Sequence, residues 1–338
     1  MRYRQLGRSG LMVAELSLGT MIFGEQSGRA TPPEEAHRML DAYVEAGGNF
    51  IDTANVYADG RSEEIVGEWL ASQPRDQIVI ATKVRFSRGG GPNQEGLSRL
   101  HIMAEVENSL RRLRTDHIDL YYAHMWDPVT PIEETLRAFD DLVRTGKVRY
   151  IGVSNFTAWQ VMKALAVSEA HGWSRFVAAQ YQYSLVTRDI EYEFLPLFAS
   201  EGLGLLPWGP LGGGFLTGKY TRGAQPASGR IATTPDHDEE AWGRRSTERN
   251  WAILDVVRQI AEWRGKTPTQ VSLAWLLQRP TVCSVIIGPR TLEQLTDNLG
   301  AAGWNLAAEE MERLDRVSAP GEMYPYRMMG LYGGRRNS

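Results

Sequence analysis

Residues with complementary acid–base chemistry stand where three successive apolar runs of this sequence end. Asp52 ends one run, Tyr57 follows it by five residues, Lys83 ends the next run and His124 the one after. A buried lysine beside a tyrosine lowers the pKa of the phenol from ~10 toward working pH. An aspartate would keep that lysine charged and oriented. The tyrosine could then protonate a carbonyl oxygen while the histidine polarises the carbonyl. Given a hydride donor, this set predicts carbonyl reduction without a metal.

Each of these residues also has an ordinary structural explanation when it is considered alone. Asp52 could cap a turn, and Lys83 could be a solvated surface lysine. His124 could be a hydrogen-bonded structural histidine, and Tyr57 could pack within its loop. The chemical interpretation therefore depends on a fold that brings the four side chains together.

The apolar runs predict the elements that would do this. Longer amphipathic runs separate them, and each apolar run ends at a breaker such as Gly, Ser or Asp. Such alternation predicts a parallel sheet covered by helices, and eight strands can close a (β/α)8 TIM barrel. The eight predicted strands are Leu16–Gly19, Asn49–Asp52, Ile78–Lys83, Ile118–His124, Val148–Ser154, Val177–Gln180, Gly204–Trp208 and Val282–Ile287.

The chain length of 338 residues corresponds to two domains at roughly 150 residues each, but barrels of this kind exceed about 250 residues as one domain. No Pro-rich linker or change of composition divides the sequence, so we expect one domain over residues 1–338. An N-terminal hairpin over 1–14 would cover the bottom of the barrel. A long loop over 212–247 would separate strands seven and eight, and residues 318–338 would form a tail.

A barrel brings the C-terminal ends of its strands to one mouth, where Ser154, Asn155, Gln180 and Trp208 would join the first four residues. The segment Gly213–Tyr220, which follows strand seven, nearly matches the phosphate-binding loop of NTPases. Tyr220, however, stands where that pattern requires Ser or Thr. A dinucleotide pyrophosphate explains the segment better than a nucleotide triphosphate does.

Several segments, in order along the chain, resemble the aldo-keto reductase superfamily. They are Leu6–Val13, Leu18–Gly24, Asp52–Tyr57 with Gly67–Glu68, Ile118–His124 and Gly146–Asn155. The first two resemble the bacterial branches that are related to the potassium-channel β-subunit-like proteins. The likeness extends from about Tyr3 to Val317.

The resemblance implies a barrel that binds a nicotinamide cofactor without a Rossmann fold. It makes Tyr57 the general acid/base, with Lys83 and Asp52 tuning it and His124 placing the carbonyl. Ser154, Asn155 and Gln180 would hold the nicotinamide carboxamide, and Trp208 would stack on its ring. Gly209, Pro210 and Leu211 would line the pyrophosphate path, with Gly213, Gly214, Gly218 and Lys219 nearby. Gly288, Arg290, Gln294 and Asn298 would bind the adenosine end.

The chemistry of Arg290 also suits the adenosine end of the cofactor, independently of the resemblance. A helix that begins at Thr291 would attract phosphate at its N-terminus, and the guanidinium of Arg290 suits a phosphate monoester. We therefore predict NADPH rather than NADH as the cofactor. The alternative is that Arg290 only caps a surface turn.

The reaction predicted is NADPH-dependent reduction of an aldehyde or ketone, with a small carbonyl compound as the partner. Met21, Phe23, Phe86, Trp126 and the segment Tyr324–Tyr326 are candidates for the substrate pocket, although ordinary packing at the barrel mouth explains each as well. The alternative function is a slow-turnover NADPH-binding sensor or regulatory protein of the channel β-subunit type.

Composition excludes several other classes. The net charge of −4 argues against nucleic acid as a partner, and a single cysteine excludes a disulfide framework. The six histidines show no zinc-site spacing, so we expect no metal. No apolar run approaches the ~20 residues of a membrane span, and residues Met1–Gly7 contain no apolar region of the kind found in signal peptides. The expectation is a cytoplasmic enzyme, and the sequence leaves monomer or homo-oligomer open.

Overall fold

A barrel of eight parallel strands forms the centre of the computed structural model, which describes residues 1–24, 30–87 and 89–333. Hydrogen bonding follows strand order around the barrel, with the last strand beside the first, and a bridge between Leu205 and Val282 joins the two ends. The predicted (β/α)8 barrel is therefore confirmed. Its strands are β3 (Leu16–Gly19), β4 (Phe50–Asp52), β5 (Val79–Val84), β6 (Ile118–Ala123), β7 (Val148–Ser154), β8 (Phe176–Gln182), β9 (Gly204–Trp208) and β10 (Val285–Ile287).

Helices alternate with these strands and pack their buried faces against the outside of the barrel. Those between the first seven barrel strands are α1 (Pro33–Glu45), α2 (Arg61–Leu70), α3 (Arg99–Leu113), α4 (Ile132–Arg144), α5 (Ala158–His171) and α6 (Phe194–Glu201). The later helices are α7 (Arg230–Thr233), α8 (Trp242–Arg245), α9 (Glu248–Arg264), α10 (Pro268–Leu277), α11 (Leu292–Leu299), α12 (Ala308–Val317) and α13 (Tyr326–Tyr332). Within the described ranges, no helix is long and apolar enough to span a bilayer.

The predicted N-terminal hairpin is present as β1 (Tyr3–Gln5) and β2 (Met12–Ala14), which pair antiparallel. Leu6 and Val13 are fully buried against the residues that fill the barrel interior. The amide of Arg8 donates to the carbonyl of Gly202, directly before β9. The hairpin therefore covers the N-terminal end of the barrel and leaves the opposite end for a site.

The structure corrects several predicted boundaries. The second barrel strand begins one residue later than predicted, the third is shifted by one residue and the fourth ends one residue earlier. The sixth barrel strand is longer than predicted and the eighth is shorter, because pairing with β3 begins only at Val285. Cys283, just before β10, instead donates its amide to Leu205 of β9. The insert over 212–247 is not all loop, because it contains a 3-10 turn (Phe215–Thr217), α7 and α8. The tail contains α13, and its last residues, 334–338, lie outside the described residues.

Candidate active site

A cavity of about 790 Å³ opens at the C-terminal ends of the barrel strands, and each strand or its following loop adds residues to the wall. Most of the residues predicted from the sequence meet here, as expected from the barrel geometry. The predicted residues in the wall are Met21, Asp52, Tyr57, Phe86, His124, Ser154, Asn155, Gln180, Trp208, Gly209, Pro210, Leu211, Gly213, Gly214, Lys219, Gly288, Arg290, Gln294 and Asn298.

Lys83 lies behind this wall as a buried ammonium with three oxygen neighbours. Its Nζ donates to Oδ1 of Asp52 at 2.6 Å and to the backbone oxygen of Thr53 at 2.8 Å. A third bond, of 3.2 Å, joins Nζ to the phenol oxygen of Tyr57. Side chains alternate along a strand, so Ala81 and Lys83 of β5 face the barrel interior whereas Val84 joins the outer core. This alternation places the Lys83 ammonium next to the phenol of Tyr57.

A web of amide and hydroxyl groups holds the neighbouring side of the cavity. Gln180 donates from Nε2 to the second carboxylate oxygen of Asp52 at 2.8 Å, so both oxygens of that acid are bonded. Ser154 donates its hydroxyl to the backbone oxygen of Gln180 at 2.8 Å. Asn155, at a positive φ of 54°, donates to the backbone oxygen of His124 at 3.0 Å. These bonds fix three side chains at adjacent strand ends.

His124 directly follows β6, the strand that pairs with the strand of Lys83, and its ring is held by aromatic edges. Its ring centre lies 6.0 Å from that of Tyr57 and 4.9 Å from that of Phe86, both in edge-on contacts. Burial lowers the pKa of His124 well below its usual range, and the positive charges of Lys83 and Arg85 lower it further. The imidazole is therefore neutral and can donate a single hydrogen bond to an oxygen in the cavity.

The pKa of Tyr57 lies above its ordinary value, which is the opposite of the direction expected from the sequence. Burial raises it, and the attraction of Lys83, which lowers it, does not compensate. Burial alone would lower the pKa of Lys83, but attraction to Asp52 and Tyr57 together raises it. The resting site therefore holds a protonated phenol beside a charged ammonium.

The wall formed by the ends of β9 and β10 carries unmatched positive charge. Lys219 and Arg290 both line it, and no carboxylate among the described residues lies within 4.0 Å of either side chain. Burial lowers the pKa of Lys219, and the charge of Arg290 lowers it further. Thr291 caps α11 by accepting a hydrogen bond from the amide of Gln294, and the amide of Leu292 already donates to the Glu35 carboxylate at 3.0 Å. The side chains of Lys219 and Arg290, rather than the helix N-terminus, therefore suit this wall to an anion such as a phosphate.

A buried ionic cluster that the sequence did not indicate connects the insert to this wall. Glu240 is 2% exposed and contacts Arg245 at 3.2 Å, Arg230 at 3.5 Å and Nε2 of Gln182 at 3.2 Å. A Cβ atom on Gly213 would come within 2.5 Å of the Glu240 carboxylate, so this turn requires glycine. The insert carries no strand or long-helix periodicity, so the sequence held no signal for this contact.

Four other candidates do not reach the cavity wall. Phe23 is fully buried in the outer core, and Trp126 packs against Phe156 with ring centres 5.0 Å apart. The carbonyl of Gly218 accepts a hydrogen bond from Arg258 on α9. Of the segment Tyr324–Tyr326, Tyr324 is exposed and Tyr326 rests on Tyr192. Their residue types are typical of a binding pocket, but the sequence does not indicate which way each side chain faces.

Among the described residues, no group of three or more His, Cys, Asp or Glu side chains could hold a metal ion. Dinucleotide binding has structural support of its own. Trp208 has a buried Nε1 without a hydrogen-bond partner in the described chain. The amide oxygens of Asn155 and Gln180 likewise accept no hydrogen bond there. Together with the two unmatched cations, these groups fit a ligand that has both an amide and phosphates.

Comparison with known proteins agrees with this geometry. The model of the "Aldo/keto reductase family" matches residues 15–319. The chain is 39% identical to an uncharacterized oxidoreductase, YrpG, of Bacillus subtilis (strain 168), over 94% of this chain and 96% of that protein. It is 38% identical to a probable voltage-gated potassium channel subunit beta of Oryza sativa subsp. japonica, over 89% and 91% respectively. It is 36% identical to an aryl-alcohol dehydrogenase (NADP+) of Phanerodontia chrysosporium, over 97% and 89%. This chain therefore belongs to the aldo/keto reductase family and is an oxidoreductase.

Proposed function

We propose that this protein uses NADPH to reduce an aldehyde or ketone to the alcohol, with Tyr57 as the proton donor. The observation that carries the proposal is the buried series of hydrogen bonds from Asp52 through Lys83 to the phenol of Tyr57. NADPH, when bound, supplies the hydride that the carbonyl carbon accepts.

The protein's own residues manage the proton. The phenol of Tyr57 donates its proton to the carbonyl oxygen as that oxygen gains negative charge, which completes the alcohol. The phenolate left behind lies 3.2 Å from the Lys83 ammonium, which stabilises its charge. Neutral His124 donates a hydrogen bond to the same substrate oxygen and orients the carbonyl. Met21 and Phe86 offer apolar surface to the body of the substrate.

Four groups of residues are proposed to hold the cofactor. Ser154, Asn155 and Gln180 face its carboxamide, and the amide oxygens of the last two remain free to accept hydrogen bonds from it. Trp208 stacks on its nicotinamide ring. Gly209, Pro210, Leu211, Gly213, Gly218 and Lys219 surround or support the pyrophosphate, and Gly288, Arg290, Gln294 and Asn298 take the adenosine end.

Tyr57→Phe tests the proton donor. We expect kcat/KM to fall by about 10²–10⁴-fold, the usual contribution of a positioned acid. NADPH affinity, measured by fluorescence titration, should change little because the substitution removes one oxygen outside the cofactor wall. Tyr332→Phe, at an exposed tyrosine of α13, is the matched control. Full turnover by Tyr57→Phe would refute the mechanism.

Arg290→Ala tests the choice of NADPH over NADH. A hydrogen bond to a charged group contributes about 1.5–3 kcal/mol, so the ratio of kcat/KM for NADPH over NADH should fall about 10–100-fold. Arg316→Ala, on the exposed face of α12, should leave the ratio unchanged. NADPH differs from NADH by a phosphate on the adenosine 2′-oxygen. An unchanged ratio in Arg290→Ala would show that Arg290 does not bind this phosphate.

A regulatory role is the second candidate, because relatives named as probable potassium channel subunits beta match most of this chain. A sensor of this kind would bind NADPH and turn it over slowly. Mixing the NADPH complex with a generic aldehyde in a single-turnover experiment separates the two functions. Rapid loss of absorbance at the NADPH band supports the reductase, and a stable band supports the sensor.

A further inference from the structure

Arg85 places a positive charge beside the reacting end of the cavity. It follows Lys83 by two residues at the end of β5, so strand alternation turns both side chains toward the barrel mouth. Its guanidinium carbon lies 5.3 Å from the centre of the Phe86 ring. Phe86 lines the cavity and contacts His124 on its edge. Arg85 and the proposed carbonyl site therefore share one aromatic neighbour.

Among residues 1–24, 30–87 and 89–333, no acid pairs with the guanidinium of Arg85. Its Nε is buried without a hydrogen-bond partner, and in the described ranges no carboxylate lies within 4.0 Å of it. Arginines of this fold with little side-chain exposure are matched: Arg112 contacts Glu63 at 2.6 Å and Arg188 contacts Glu191 at 2.7 Å. Arg85 itself is half-buried, and its shielded Nε lacks the hydrogen bond that an anionic ligand would supply, so a ligand anion beside the cavity would complete the site.

The cofactor phosphates are not that ligand under the proposed arrangement. They belong to the wall of β9 and β10, where Lys219 and Arg290 stand. Around the barrel, β5 is three strands from β10 and four strands from β9, so Arg85 lies across the mouth from that wall. The positive charge of Arg85 acts at the proposed carbonyl site, because it contributes to lowering the pKa of His124. The group that faces Arg85 is therefore part of the substrate.

We propose that Arg85 recognises an anionic group on the substrate, so that the preferred substrates are aldehydes or ketones that also carry a carboxylate. This inference rests on the proposed carbonyl reduction and deepens it. A guanidinium pairs with a carboxylate through two parallel hydrogen bonds, which fixes orientation as well as affinity. Phe86 and Met21 would contact the apolar part between the two ends of such a molecule.

Matched pairs of aldehydes test this proposal. The 3- and 4-carboxybenzaldehydes are compared with their methyl esters, which keep the ring and the aldehyde but lose the charge. We expect the wild type to favour each acid over its ester in kcat/KM. In Arg85→Gln the acid-to-ester ratio should fall about 10–100-fold, mainly through KM of the acid. Arg85→Lys should retain part of the preference, and Arg316→Gln should retain all of it.

Calorimetry keeps the two proposals separable. Titrating 4-carboxybenzaldehyde into the protein with NADP+ present measures binding without turnover, and Arg85→Gln should bind it about 10–100-fold more weakly than the wild type. If neither aldehyde is reduced but this difference in affinity appears, the carbonyl-reductase proposal fails and the anion site stands. Equal affinities, or an acid-to-ester ratio that Arg85→Gln leaves unchanged, would overturn the role of Arg85.

Discussion

Replacing Lys83 with methionine separates what the buried ammonium does for stability from what it does for the proposed reaction. The substitution keeps the length and apolar stem of the side chain but removes its three hydrogen bonds. Asp52 is 2% exposed and would then keep only the amide of Gln180, at 2.8 Å, as its partner. A buried carboxylate would be left without its counter-charge.

The size of the effect follows from that geometry. Removing one partner of a buried ion pair costs about 3–5 kcal/mol, because the remaining charge stays desolvated. Removing both, as in Asp52→Leu with Lys83→Met, should restore most of this loss, because no isolated charge remains. Recovery should be incomplete, since the backbone oxygen of Thr53 also loses the bond it accepts from Lys83.

Activity should behave differently from stability along the same series. Both the single and the double variant lack the ammonium that stabilises the Tyr57 phenolate, so single-turnover oxidation of NADPH should slow by about 10²–10⁴-fold in each. Urea unfolding, followed by tryptophan fluorescence, measures stability on the same preparations. If the double variant regains activity together with stability, Lys83 only maintains the fold and the proposed chemistry is wrong.

Three further predictions follow from pKa shifts and backbone geometry. Because burial raises the pKa of Tyr57 above and lowers that of His124 below its ordinary value, kcat/KM should stay level between about pH 6.5 and 9.5. An ionisation of the enzyme near pH 7.5 in that profile would contradict the pKa direction of one of these two residues. In stability, the unfolded chain protonates His124 below its usual pKa of about 6.5 while the folded protein does not, so stability should decline as the pH falls below that value. Gly7→Ala should cost about 2–5 kcal/mol, because φ is +55° and the new Cβ would come within 2.4 Å of the Val177 carbonyl oxygen. Gly10→Ala has open space at the same hairpin and is its control, so equal urea midpoints for the two variants would show that the hairpin does not pack as described.

The strand ends were predictable because two simple rules govern them. Short apolar runs separated by amphipathic ones indicate a parallel barrel, and a barrel gathers the residue that ends each strand at one mouth. Asp52, Lys83, His124 and Gln180 needed no further information. Arg85 was within reach of the same reasoning, since a residue two positions beyond Lys83 shares its side of the strand.

The remaining residues depend on orientations that the sequence does not carry. Phe23 and Phe86 are the same residue type in comparable loops, yet one fills the outer core and the other lines the cavity. Glu240 lies in an insert without periodicity, so nothing marked it as the acid beneath the Gly213 turn. The pKa of Tyr57 depends on how deeply its loop is buried, which spacing does not reveal.

The distribution of charge around the mouth gives these pieces a common explanation. Lys83 is balanced by Asp52, and Arg245 and Arg230 share Glu240. Three cations have no such balance among the described residues, namely Lys219 and Arg290 on one side and Arg85 on the other. Lys219 is exposed and Arg85 and Arg290 are half-buried, so each of these charges is open to a ligand anion. Because β5 is three strands from β10 and four strands from β9, one small anion cannot contact both groups. Under our proposals a phosphorylated dinucleotide would satisfy the first pair, and the second anion would belong to the substrate that contacts Phe86. The same cations that attract both ligands to the mouth would then also hold their reacting ends toward each other above Tyr57.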